Sequence, residues 1–82
     1  MASDVREIQG WECRAFVIPS PGFKVRFEIE TDQGVDVTVY HDGSILIDAY
    51  VLSDELDRFT ALLPELVAWG KSLLEKGASD GK

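Results

Sequence analysis

From residue 23 to residue 30 the chain reads Phe-Lys-Val-Arg-Phe-Glu-Ile-Glu, with apolar and charged positions alternating without exception. That period of two marks a strand with one dry and one wet face. Residues 31–34 supply a turn, and the alternation resumes over 35–40 with the β-branched residues that suit a pleated surface. His41-Asp-Gly makes a second short turn, its Asp-Gly pair furnishing positive-φ positions. Residues 44–52 are more apolar, so this strand is expected to be central or covered on both faces. Upstream, Trp11 to Ile18 reads as a further strand, closed by Pro19 and Pro21, which cannot donate to a ladder, and by Gly22. Residues 1–9 show no clear period and are expected to form a loose start.

After Leu52 the period changes to about 3.6 residues. Leu56, Phe59, Leu63, Leu66, Gly70 and Leu73 recur at three- and four-residue steps, with Leu62, Val67, Trp69 and Leu74 widening the stripe. Ser53 is the expected N-cap, with Asp54, Glu55 and Asp57 near the positive helix end. Gly77 is the expected C′ residue, and 78–82 a frayed tail. Pro64 removes a donor, but the apolar phase runs through it, favouring one kinked helix over two.

These elements predict an α+β fold: an antiparallel β-meander of three to four strands with one C-terminal, Pro-kinked helix packed on one face. All 82 residues then form one small domain, with strands over 11–52 and the helix over 53–77. The dry side should carry Phe23, Val25, Phe27 and Ile29, then Val35, Val37 and Val39, then Ile45, Ile47, Ala49 and Val51. The wet side should show Lys24, Arg26, Glu28, Glu30, Asp36, Thr38, Tyr40, Leu46, Asp48 and Tyr50. Glu12, Arg14 and Phe16 join them if the first strand keeps its charges in water.

Charge sharpens this picture. Between Glu28 and Asp57 lie nine carboxylates and no Lys or Arg, whereas 1–27 and 58–82 each come out at +1. The whole net charge of -7 is therefore set by the middle third. Such a field attracts basic partners and disfavours direct contact with nucleic acid or lipid headgroups. Helix capping explains Asp54, Glu55 and Asp57, and turn chemistry explains Asp32 and Asp42. Glu28, Glu30, Asp36 and Asp48 remain on the sheet, where like charges held together cost stability. Tyr40 and Tyr50 are read beside them as a pair, tyrosine being a preferred interface residue.

Catalytic chemistry finds little footing. His41 sits in a turn, and Cys13 reads as a small buried hydrophobe between Trp11 and Ala15. One histidine and one cysteine cannot build a zinc site, and the acidic spacing matches no calcium loop. No disulfide can form within the chain, and no run of apolar residues is long enough for a membrane span. The expectation is a non-enzymatic, cytoplasmic protein without cofactor or metal. Its acidic face, formed by Glu28, Glu30, Asp36, Tyr40, Asp48 and Tyr50, would dock on a basic surface of another protein, as an inhibitor mimicking nucleic-acid charge where that surface holds nucleic acid. The alternative is a self-associating structural or accessory subunit, a homodimer through Trp69, Leu62 and the helix edge or through an edge strand.

Overall fold

The computed structural model describes residues 3–19 and 22–80. Five strands, β1 (Ser3–Ile8), β2 (Trp11–Ile18), β3 (Lys24–Ile29), β4 (Val35–Tyr40) and β5 (Ile45–Ala49), form one sheet in the order β1-β2-β3-β4-β5. Every neighbouring pair is antiparallel. A single 3₁₀ turn (Ser53–Glu55) leads into one helix, α1 (Leu56–Asp80). The α+β meander with a C-terminal helix is thus as expected, with five strands among the described residues in place of three to four.

The additional strand is β1, where a loose start was expected. Its signal is hidden because the face that meets the helix carries Asp4 and Arg6 before Ile8, following the register Asp4↔Ala15, Arg6↔Cys13 and Ile8↔Trp11. Inward-pointing charges are a known feature of edge strands, and they erase the apolar alternation. Arg6 is accommodated by lying over the Trp69 ring, 4.4 Å from its centroid. The β1–β2 turn is the two-residue Gln9-Gly10, with φ of 54° and 82°. Two consecutive positive-φ residues match the twist of a hairpin, and the second is glycine for that reason. The β4–β5 turn behaves differently: Gly43 alone takes positive φ, at 93°, and Asp42 does not.

The core is continuous between α1 and the inner face of the sheet. Cys13, Ala15, Val25, Phe27, Ile29, Val35, Val37 and Val39 meet Phe59, Leu62, Leu66 and Trp69. Phe27 and Trp69 are tilted neighbours, ring centroids 5.1 Å apart. Gly70 lets the helix approach closely, since a Cβ there would lie 3.1 Å from both Phe27 and Val39.

Two expectations about the core fail together: the strand within 44–52 is neither central nor covered on both faces but an exposed edge, β5. Ile45, Ile47 and Ala49 fall on the dry face by register, opposite Val39, Val37 and Val35, yet all three are exposed. The reason is width. A helix is about 10–12 Å across, whereas five strands at about 4.8 Å spacing span roughly 19 Å between outer axes. With β1 present, α1 settles over β1–β4 and makes no close approach to β5.

The helix termini also differ from expectation. Leu52, extended at φ -70° and ψ 151°, precedes the 3₁₀ turn without any side-chain cap, and Ser53 lies inside that turn. The Glu55 amide donates to the Leu52 carbonyl at 2.9 Å, so a tightened backbone turn replaces the serine cap. At the other end α1 continues through Gly77 to Asp80, so Gly77 is no terminator and 78–80 are helical. Residues 81–82 of the expected frayed tail, and Ser20 and Pro21 of the expected turn, lie outside the described residues. Pro64 sits within α1 on the exposed side, where water can take up the carbonyl of Thr60 left without its i+4 donor. One helix, not two, is formed.

Candidate interaction face

The strand registers decide which side chains meet on the outer face. One transverse row runs Val5, Arg14, Glu28, Asp36, Asp48 across β1 to β5. The next runs Phe16, Arg26, Thr38, Leu46, and the one beyond it Ile18, Lys24, Tyr40. Asp36 therefore has Glu28 directly opposite on one side and Asp48 on the other. Cβ atoms of opposed residues lie about 4.5–5.5 Å apart, close enough for like charges to repel appreciably.

The cations of this face are committed to its β2–β3 half. Arg14 pairs with Glu12 at 3.3 Å, and Arg26 pairs with Glu28. Arg26 also lies 5.4 Å from the Phe16 ring centroid, and Lys24 lies 5.8 Å from that of Tyr40. The β4–β5 half has no cation of its own. Its polar and charged positions are Asp36, Thr38, Tyr40 and Asp48, with Leu46 among them. Near the 30–34 connection the same face dips into a shallow open depression lined by Glu12, Arg14, Glu28, Glu30, Thr31 and Asp36. Four carboxylates surround one arginine there, so the concavity is net anionic.

Of the six expected contact residues, Glu28, Asp36, Tyr40 and Asp48 lie within strands on the outer face. Glu30 stands just past β3, its amide donating to the Glu12 carbonyl at 2.9 Å, and remains exposed at the rim of the depression. Tyr50 lies just past β5 and is 66% exposed. The two tyrosines are not a pair. Tyr40 closes one end of the β4–β5 hairpin and Tyr50 leaves the other, roughly 20 Å away at strand rise. Glu12 and Arg14 join the site although they were only conditional members of the wet face; the alternation of 11–18 carries their signal.

The helix-edge contact is also corrected. Leu62 is 0% and Trp69 3% exposed, both spent on the chain's own sheet, so neither is free to meet a second molecule. Cys13 is fully buried, and desolvation pushes its thiol up to about 11. His41 is exposed in its turn beside Asp42. Asp42 accepts from the Ser44 hydroxyl at 2.6 Å and the Ser44 amide at 3.0 Å, which hold its carboxyl below the ordinary range. Among the described residues no group of three or more His, Cys, Asp or Glu side chains is arranged to hold a metal ion. No described helix is long and apolar enough to cross a membrane.

Comparison with protein-family models, curated proteins and solved structures finds no match to this chain.

Proposed function

We propose that the chain is a small non-enzymatic protein-binding module whose outer sheet face docks on a basic surface of another protein. The observation that carries this reading is the row Glu28–Asp36–Asp48, held across three strands by the register, in which Glu28 is paired with Arg26 while Asp36 and Asp48 face each other without a cation between them. Solubility alone does not require like charges to be opposed, because mixed signs serve it equally well. A cationic partner would relieve that repulsion on binding, and the face is steered toward such a partner by the long-range field. Glu30 at the rim of the depression and the exposed Tyr50 extend the contact area, with Tyr40 at its far edge. Where the partner's basic surface itself holds nucleic acid, docking displaces that nucleic acid and the module acts as an inhibitor by charge mimicry.

The test is capture of partners at low and then moderate salt, with Asp36→Lys/Asp48→Lys as the matched control. Basic proteins retained by the native chain, released by salt and lost with the double variant at unchanged thermal stability, are the expected result. Retention of the same proteins by the double variant would remove this reading.

A further inference from the structure

The edges of the sheet are not alike. β1 is guarded: Asp4, Arg6 and Glu7 place charge on both of its faces, and Arg6 is tied down on Trp69. β5 has no such protection. Its sequence is Ile-Leu-Ile-Asp-Ala, with Ile45 42%, Leu46 55% and Ile47 41% exposed. It contains no lysine, proline or inward charge, the devices by which natural edges avoid pairing. α1 leaves the inner face of β5 uncovered. Trp69 reaches toward β1 and Gly70 abuts Val39 of β4, so on helical spacing Leu56, Leu63 and Val67 share the flank nearest β5. Leu56 is 51% exposed.

We propose that a second copy of this chain pairs antiparallel along β5, centred on Leu46, to give a two-fold dimer with a continuous ten-stranded sheet. Backbone polarity permits it. The Tyr40 amide donates to the Ser44 carbonyl at 2.9 Å, and antiparallel ladders alternate, so Leu46 and Asp48 turn their amides toward β4. Ile45, Ile47 and Ala49 therefore turn theirs to the open edge. In the Leu46-centred register Ile45 exchanges hydrogen bonds with Ile47 of the second copy, and Ile47 with its Ile45. Leu46 meets Leu46 on the outer face, and Asp48 stands opposite the uncharged Ser44, whose hydroxyl already donates to Asp42. A register centred on Asp48 would oppose two carboxylates and is disfavoured. Because each chain offers one unguarded edge, the pairing closes at two copies and does not propagate.

The ladder is short, so association belongs in the micromolar range rather than the nanomolar. Both copies carry -7, and salt that screens their repulsion tightens the dimer. The sign is opposite to that for a basic partner on the outer face, whose complex salt weakens. Failure of one reading is thereby separable from failure of the other.

Sedimentation of the full chain, up to roughly 0.1 mM and in low and high salt, tests the pairing. A monomer–dimer equilibrium strengthened by salt, and weakened at least about tenfold (RT ln 10) by Ile47→Lys, is expected. Opposed residues in a non-hydrogen-bonded pair have Cα atoms about 4.5 Å apart, within disulfide reach. Leu46→Cys should therefore form a disulfide-linked dimer under mild oxidation, and Asp48→Cys should not. Cys13, being sealed in the core, does not compete. A chain monomeric throughout, a dimer indifferent to Ile47→Lys, or cross-linking at position 48 in preference to 46 would overturn the pairing. If Ile47→Lys does not fold, the cysteine pair decides alone.

Discussion

Asp36 stands directly opposite Asp48 across β4 and β5, and directly opposite Glu28 across β4 and β3. Glu28 is paired with Arg26, but no cation of the β4–β5 hairpin lies on that face to offset Asp36 and Asp48. Neutralising the central member should relieve both opposed pairs at once. Asp36→Asn is expected to raise unfolding free energy by about 0.5–1 kcal/mol at low ionic strength. The gain should shrink toward zero in high salt, where the repulsion is already screened. Denaturant titration at two ionic strengths and one protein concentration checks it. A loss of stability at low salt would mean that Asp36 is structurally required and the acidic row is not under strain.

At Gly70 α1 presses close against the sheet. Alanine there would gain helix propensity worth about 1 kcal/mol. Its Cβ would lie 3.1 Å from both Phe27 and Val39, which are themselves 0% exposed. Val39 is β-branched and stiff at χ1, and Phe27 is backed by Trp69, so neither can yield cheaply. Overpacking at about 1–3 kcal/mol outweighs the propensity gain, and Gly70→Ala should lower stability by about 1 kcal/mol net. Thermal melting decides the sign, and a raised midpoint would show that the helix can ride outward freely.

The dry and wet parities of β2 to β5 could be read from alternation, because the polar residues there fall on the outer face and most apolar ones on the helix side, Phe16, Ile18 and Leu46 being the exceptions. The row joining Glu28, Asp36 and Asp48 required register as well, which turn length and hydrogen bonding fix and composition does not. β1 escaped because Arg6 is accommodated by Trp69, a partner 63 positions away that no local window contains. Ile45 and Ile47 have the same pattern as Val37 and Val39. What separates them is the finite breadth of one helix on a five-stranded sheet, a property of the assembled fold. Tyr40 and Tyr50 share a parity but leave opposite ends of a hairpin, so matching faces did not make them neighbours.

Cys13 gives the fold an alkaline limit. Its thiol is held neutral by burial, its pKa raised from 9.0 to about 11. The raised value means that the unfolded chain loses this proton before the folded one does. The stabilisation is complete below pH 9 and is lost as pH rises toward 11, at up to about 1.4 kcal/mol per pH unit. Relative to Cys13→Ala, the native chain should therefore lose stability progressively across that window. Parallel pH profiles of the two proteins would refute the sealed thiol. So would labelling of Cys13 by a thiol reagent at pH 8 faster than global unfolding.

Arg58 clamps the β1–β2 turn to the helix. Its guanidinium lies 4.0 Å from the Trp11 ring centroid, and its Nε donates to the Gln9 carbonyl at 2.5 Å. The Gln9 side chain answers by donating to Glu65 at 3.0 Å. Gly10 makes room for the clamp, since a Cβ there would stand 2.8 Å from Arg58 Nη2. Arg58→Ala should cost about 1–2 kcal/mol through the lost stacking and the lost hydrogen bond. Arg58→Lys should recover little, because an ammonium lacks the planar fork that stacks and donates together. Gly10→Ala meets two penalties, the collision with Arg58 and a φ of +82°. Arg58→Ala removes the first and leaves the second, so Gly10→Ala should cost less in that background than in the native one. A double-mutant cycle measures the difference, and strict additivity would show that the turn and the arginine do not act on each other.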